Sequence, residues 1–150
     1  MRLFLGAVLA LALGTSAVAQ DRAMIVLDAS GSMWGQIDGK TKIEIARETM
    51  GEVLGVVPEA NELGLIVYGH RSKGDCGDIE LAVPPAAGTA GAIAEFVKGI
   101  NPKGKTPLSA AVKQAADGLR YTEDKATVML GAVEVWGGGC GLLLHVSSCP

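Results

Sequence analysis

Ala23-Met-Ile-Val-Leu-Asp-Ala-Ser-Gly-Ser32 is the stretch on which the reading of this chain turns. Residues 23–27 form an unbroken apolar run that ends at Asp28. A run of this length, bounded by turn residues, predicts a strand buried on both faces, as in a parallel sheet. Asp28, Ser30 and Ser32 then alternate as D-x-S-x-S, with Gly31 allowing a sharp turn. In open α/β sheets, ligands bind outside the carboxyl ends of the strands, which is where this loop lies. One carboxylate and two hydroxyls are hard oxygen donors of the kind Mg²⁺ takes, and they supply half of an octahedral shell. The same three residues also serve as turn or helix caps. Taken alone, the motif favours that plainer role.

Outward from this stretch the hydrophobic period changes. Ile43, Ala46, Met50, Val53, Leu54 and Val57 share one helical face, and Pro58 closes the helix. Leu63 to Tyr68 predicts a second buried strand. Ile79, Leu81 and Val83 alternate with Glu80 and Ala82, a half-buried strand expected to stop at Pro84-Pro85. Thr89 is placed to cap a helix whose inner face is Ile93, Phe96, Val97 and Ile100. Thr106-Pro107 predicts another helix start, with Leu108, Ala111, Val112, Ala115 and Leu119 following at helical spacing. Ala126 to Leu130 predicts a further buried strand. Alternating strands and helices imply an α/β fold: a Rossmann-like, open, mostly parallel sheet with helices on both faces.

One segment offers a rival function. Gly99-Ile-Asn-Pro-Lys-Gly-Lys-Thr106 fits the Walker A pattern G-x-x-x-x-G-K-T. A phosphate-binding loop must join a strand to a helix, so that its amides meet the phosphates at the helix N-terminus. Here the preceding residues, Ala92 to Lys98, have helical spacing. Pro107 also removes an amide where the following helix would begin. The expectation is that no nucleotide binds, which leaves Thr106 for another task.

LDASGSM at 27–33, with GKTPL at 104–108, resembles the von Willebrand factor A family, whose loops build a metal-ion-dependent adhesion site. The resemblance runs from about Arg22 to Leu130. YGHRSKGDCGD, residues 68–78, is similar to bacterial secreted members. The resemblance implies metal ligands at Asp28, Ser30, Ser32 and Thr106. In the family the serines and the threonine touch the cation directly, and aspartates often act through water. A vacant position accepts a carboxylate from a protein partner. Mg²⁺ is the implied cation, with Mn²⁺ or Ca²⁺ as alternatives. Asp38, Asp75 and Asp78 read as solvated loop acids rather than ligands.

The tail departs from the family. A third loop there brings an aspartate, usually as Asp-Gly. Here Val133 falls in that register and Glu134 lies one place off. Residues 131–150 show no clear helix or alternating strand. A complete domain of this kind needs roughly fifty residues more. Two accounts stay open for this tail. It is an out-of-frame continuation of a longer chain, or a short variant in which Leu142-Leu-Leu144 pairs with the sheet. Under either account the metal site is expected to be incomplete, and Mg²⁺ binding weak or absent.

The N-terminus adds a location. Arg2, the apolar run Leu3–Leu13 and Ala17-Val-Ala19 fit a secretory signal peptide cleaved after Ala19. The expected division is residues 1–19 signal peptide, 22–130 partial domain and 131–150 atypical tail, with the protein in the periplasm or secreted. The apolar run is too short for a bilayer span, which takes about 20 residues, so no stable span is expected after cleavage. The net charge of −3 argues against nucleic acid as a partner. Cys76, Cys140 and Cys149 permit one intramolecular disulfide at most. An Asp-centred phosphatase would want a second acid two residues after Asp28, and that position is Ser30. His70 and Cys76 lack the other cues of a Cys/His catalyst, and His145 has no obvious partner. The expected function is a non-enzymatic binding module. The alternatives are an inert fragment of a longer protein or an Asp-centred enzyme.

Overall fold

The computed structural model describes residues 21–123, 125–131 and Cys149. The readings made for the signal peptide, Val133, Glu134, Cys140, Leu142–Leu144 and His145 lie outside these residues. In chain order the elements are β1 (Arg22–Asp28), a 3₁₀ turn (Gly31–Trp34), β2 (Gln36–Ile37), β3 (Lys40–Thr41) and α1 (Lys42–Val56). There follow β4 (Glu62–Tyr68), β5 (Ile79–Ala86), α2 (Ala90–Gly99), α3 (Leu108–Gly118) and β6 (Ala126–Gly131).

The main sheet has the order β5-β4-β1-β6. β1 pairs in parallel with β4 on one side and β6 on the other, and β5 is antiparallel to β4. Side chains of a strand alternate between faces, and β1 shows the consequence. Ile25, Leu27 and Ala29 pack with Ile43, Ala46, Met50 and Leu54 of α1 and with Ile93 and Val97 of α2. Met24 and Val26 pack on the opposite face with Ile66, Tyr68 and the α3 residues Ala111 and Ala115. The sheet is thus covered by helices on both faces, as the apolar runs require.

Four local expectations are corrected. β5 does not stop at Pro84-Pro85 but runs on to Ala86. It is an edge strand, so only alternate N–H groups face β4, and its register shifts on both sides of Leu65, which leaves neither Pro84 nor Pro85 paired with a β4 residue. Thr89 does not cap α2 through its side chain. Its hydroxyl instead donates to the carbonyls of Leu63 and Ala86. α3 begins at Leu108 with Pro107 as its N-cap residue, so Thr106 lies outside the helix. β6 is half-buried rather than buried.

Two devices escape the hydrophobic pattern. Thr41 and Glu44 form a capping box, in which each side chain meets the other residue's backbone N–H. β2 and β3 are joined by Asp38-Gly39, both at positive φ, the two-residue hairpin turn that an Asp-Gly pair favours.

Candidate functional site

β1 delivers Asp28 to the carboxyl edge of the sheet. The Asp28 carboxylate accepts the backbone N–H of Ser30 at 2.7 Å, which bends the chain immediately after the strand. Asp28 and Ser30 are buried, whereas Ser32 is exposed. The hydroxyls of Ser30 and Ser32 lie 2.9 Å apart. Met33, 1% exposed, roots the 3₁₀ turn in the core, while Trp34 stands outside.

A second loop, 101–106, is laced to the first. Ser30 and Gly104 form a parallel bridge. Gly31 N–H donates to the Gly104 carbonyl at 3.0 Å, and Lys103 N–H donates to the Ala29 carbonyl at 3.2 Å. Trp34 Nε1–H donates to the Pro102 carbonyl at 2.9 Å. Thr106 follows two residues after the bridge. The loop leaves α2 and enters α3, so the Walker-like segment 99–106 runs from helix to helix and not from strand to helix.

The β4–β5 loop supports both. The Gly69 carbonyl accepts the N–H groups of Lys103 at 3.0 Å and Gly104 at 2.7 Å. Gly69 has φ +73°, and a Cβ there would stand 2.5 Å from the Lys105 carbonyl oxygen and 2.9 Å from Ser30 Cα. A side chain is excluded on both counts. Gly104 is equally confined: a Cβ would lie 2.5 Å from the Ser72 carbonyl oxygen.

Asp78, expected to be solvated, is 2% exposed. Its carboxylate accepts the N–H groups of Arg71 at 2.8 Å and Ser72 at 2.9 Å, and Arg71 Nε–H at 2.7 Å. Burial pushes the Asp78 carboxyl upward. The Ser72 amide and the Arg71 guanidinium and amide outweigh it and hold the group below the usual carboxylate range. Asp78 thereby fixes residues 69–72, and through the Gly69 carbonyl it fixes the second loop. Asp38 is exposed at its turn, and Asp75 is exposed and accepts the Gly77 N–H.

His70 does not face a free thiol. Its Nε2 lies 2.8 Å from Glu80 Oε2, and its ring meets Phe96 edge-on at 5.9 Å between centroids. Cys76 is joined to Cys149 in a disulfide, so its sulfur is not a nucleophile in this form.

The family resemblance pointed to Asp28, Ser30, Ser32 and Thr106. The structure brings the first three into one turn and lays the loop of the fourth along it. Gly69 and Asp78 were missed as supports. A glycine directly after a buried strand was the one available cue.

The donor set can be tested for chemical fit. Among the described residues no three His, Cys, Asp or Glu side chains converge, so any cation here depends on hydroxyls beside a single carboxylate. These are hard oxygen donors, suited to Mg²⁺ rather than to thiolate-seeking metals. An octahedron with bonds of about 2.0–2.1 Å has neighbouring vertices about 2.9 Å apart. The Ser30 and Ser32 hydroxyls have that separation, which is also an ordinary hydrogen bond in the absence of metal. The donor chemistry and the spacing of the two serine hydroxyls are compatible with such a cation.

Comparison with known proteins bears on the fold. The family model of the von Willebrand factor type A domain matches residues 23–130. Among solved structures, the three N-terminal domains of the type V pili tip protein Mfa5 from Porphyromonas gingivalis are similar at 16% identity with a TM-score of 0.51. That match covers 74% of this chain and 19% of the other. The SpRpn10 VWA domain is similar at 16% identity with a TM-score of 0.51, covering 78% of this chain and 62% of that one. The chain therefore spans less than two thirds of either structure. No curated protein matches it.

Proposed function

The chain belongs to the von Willebrand factor type A domain family, and from that premise we propose that it is a non-enzymatic, cation-dependent binding module. Domains of this family generally mediate protein–protein interactions. In this reading Asp28, Ser30, Ser32 and Thr106 hold a divalent cation, Mg²⁺ before Mn²⁺ or Ca²⁺. When bound, the cation supplies a Lewis-acid position for a carboxylate from a partner protein. The observation that carries the reading is the Ser30–Gly104 bridge, which joins the two loops that contribute the four residues. The Asp28 carboxylate and the paired serine hydroxyls add the donor chemistry.

One carboxylate is a small charge with which to hold a cation that sheds its water reluctantly, so binding is weak and several waters stay on the ion. The disulfide fits an oxidising compartment, in keeping with the proposed periplasmic or secreted location. Among the described residues no helix is long and apolar enough to cross a membrane.

Isothermal titration calorimetry with MgCl₂ tests the proposal. Weak binding is expected in the unaltered chain and none in Asp28→Ala. Unchanged Mg²⁺ affinity in Asp28→Ala would remove the site from these loops.

A further inference from the structure

We propose that Trp34, Lys103 and Lys105 form a recognition rim around this site, and that its occupant is an acidic protein segment carrying an apolar or aromatic side chain beside the metal-binding carboxylate. The inference rests on the cation reading above and adds to it the chemistry of the partner.

Trp34 is 51% exposed. Of the large exposed apolar side chains among the described residues, it is the one in the candidate site's own loops. The others, Val53, Val56, Leu81 and Tyr121, lie on α1, on β5 and after α3. Solvation does not account for an indole here, since burying it would gain free energy. Nor is it a loose side chain. Its backbone neighbour Met33 is in the core, and its Nε1–H is committed to the Pro102 carbonyl. A ring fixed in this way loses little conformational freedom when a partner covers it. Tryptophan is also the residue type most enriched among dominant interface contacts.

Lys103 and Lys105 give the rim its sign. Both are exposed. Among the described residues, neither makes an ion pair, whereas Lys40, Arg71 and Lys98 all do. The whole chain carries a net charge of −3, so two uncompensated cations on the loop that shares the Ser30–Gly104 bridge make a local reversal. With a divalent cation beside them, they favour a partner with more than one acid and speed its approach.

The experiment uses short synthetic peptides with a central Asp, in MgCl₂. They differ in the residue beside it, Phe or Ala, and in a further acid, Glu or Gln. The chain has two tryptophans, so Trp136→Phe leaves Trp34 as the sole indole reporter. The expected result is a blue shift of Trp34 emission with the Asp-Phe peptide. Calorimetry should give that peptide an affinity about thirtyfold above the Asp-Ala peptide, the scale of a dominant interface contact. Trp34→Ala, checked for folding by circular dichroism, should erase the difference, and Trp34→Phe should keep part of it. Lys103→Glu with Lys105→Glu should erase the preference for Glu over Gln.

Equal affinities for the Phe and Ala peptides, no emission shift, or no peptide binding at all would overturn the rim. EDTA separates the two readings. Peptide binding that persists in EDTA and still depends on Trp34 keeps the rim and defeats the cation. Binding that needs Mg²⁺ but ignores Trp34→Ala keeps the cation and defeats the rim.

Discussion

β1 has two neighbours, and they are not equivalent. β4 is buried along Leu63–Tyr68, each of those residues at 3% exposure or less where it is a large apolar one. β6 is half-buried, with Thr127 exposed, although both segments are apolar and both pair with β1 in parallel. The difference lies in what surrounds each strand. β4 has β1 on one side and β5 on the other. Among the described residues β6 stands at the end of the strand order, and an apolar groove of about 290 Å³, lined in part by Met50, Val53, Met129 and Leu130, opens beside it. An apolar run identifies a segment able to be buried; the neighbours decide whether it is.

The sharpest test takes one residue from each strand facing the same partner. Leu65 and Met129 both lie in register with Ile25. Leu65→Ala should cost about 3–5 kcal/mol, because a sealed site leaves a cavity. Met129→Ala should cost about 1 kcal/mol, because its surroundings are already open. Urea unfolding of both variants decides it. Equal costs would mean that β6 is covered in solution and would break the comparison.

A second test removes the support on the β4 side. Asp78→Ala removes a buried carboxylate that accepts from two part-buried amides and a half-exposed guanidinium, and should cost about 2–3 kcal/mol, the scale of hydrogen bonds to a charged group. The pH dependence has a definite sign. The folded carboxyl lies below its usual value, so its stabilisation is present above the unfolded pKa, about 4, and is lost as pH falls through the folded value. Asp78→Asn should therefore flatten the acid limb of the stability curve. An unchanged acid limb would show that Asp78 is not ionised against Arg71.

A third test addresses the lacing of the loops. Gly104→Ala forces a Cβ against the Ser72 carbonyl and should cost about 1–3 kcal/mol, the range for overpacking. It should also weaken Mg²⁺ binding more than Met129→Ala does, since only the former displaces the 101–106 loop. Calorimetry on the two variants at equal folded fraction makes the check.

The smallest effect is expected at the amino ends of the strands. Arg22 and Glu62 join β1 to β4 at 2.7 Å with both side chains less than a third exposed, whereas Lys125 and Asp21 on the β6 side are 3.8 Å apart and largely exposed. Glu62→Gln should cost about 0.5–1 kcal/mol and Asp21→Asn nothing measurable. Thermal melts at low and high salt would separate them.

How far the sequence reaches follows from the range of each interaction. The β1 run, the turn at Asp28 and the inner face of α1 are written in spacing, and Ile43, Ala46, Met50 and Leu54 are buried as that spacing predicts. Val53 belongs to the same pattern yet is 38% exposed, because it sits over the groove beside β6. Asp78 read as solvated because nothing local betrays burial; its acceptor role depends on amides six and seven residues back that a turn folds onto it. Pro84-Pro85 read as a stop because proline's cost depends on whether the strand is an edge, and order within a sheet is not a local property. The four candidate ligands were legible through a family resemblance. The lacing of their loops through Gly69 was not.

The position of β1 has a consequence in time. Of the described strands it is the first to be synthesised, yet it lies inside the sheet, with partners that begin at Glu62 and Ala126. At about 5–20 residues per second, synthesis reaches β6 roughly 5–20 s after β1 is made. Until then Met24-Ile-Val-Leu27 offers an unpaired apolar edge to any other nascent chain. Holding that edge apart is a task for a chaperone, and in a chain exported before it folds the demand lasts until β6 has crossed as well.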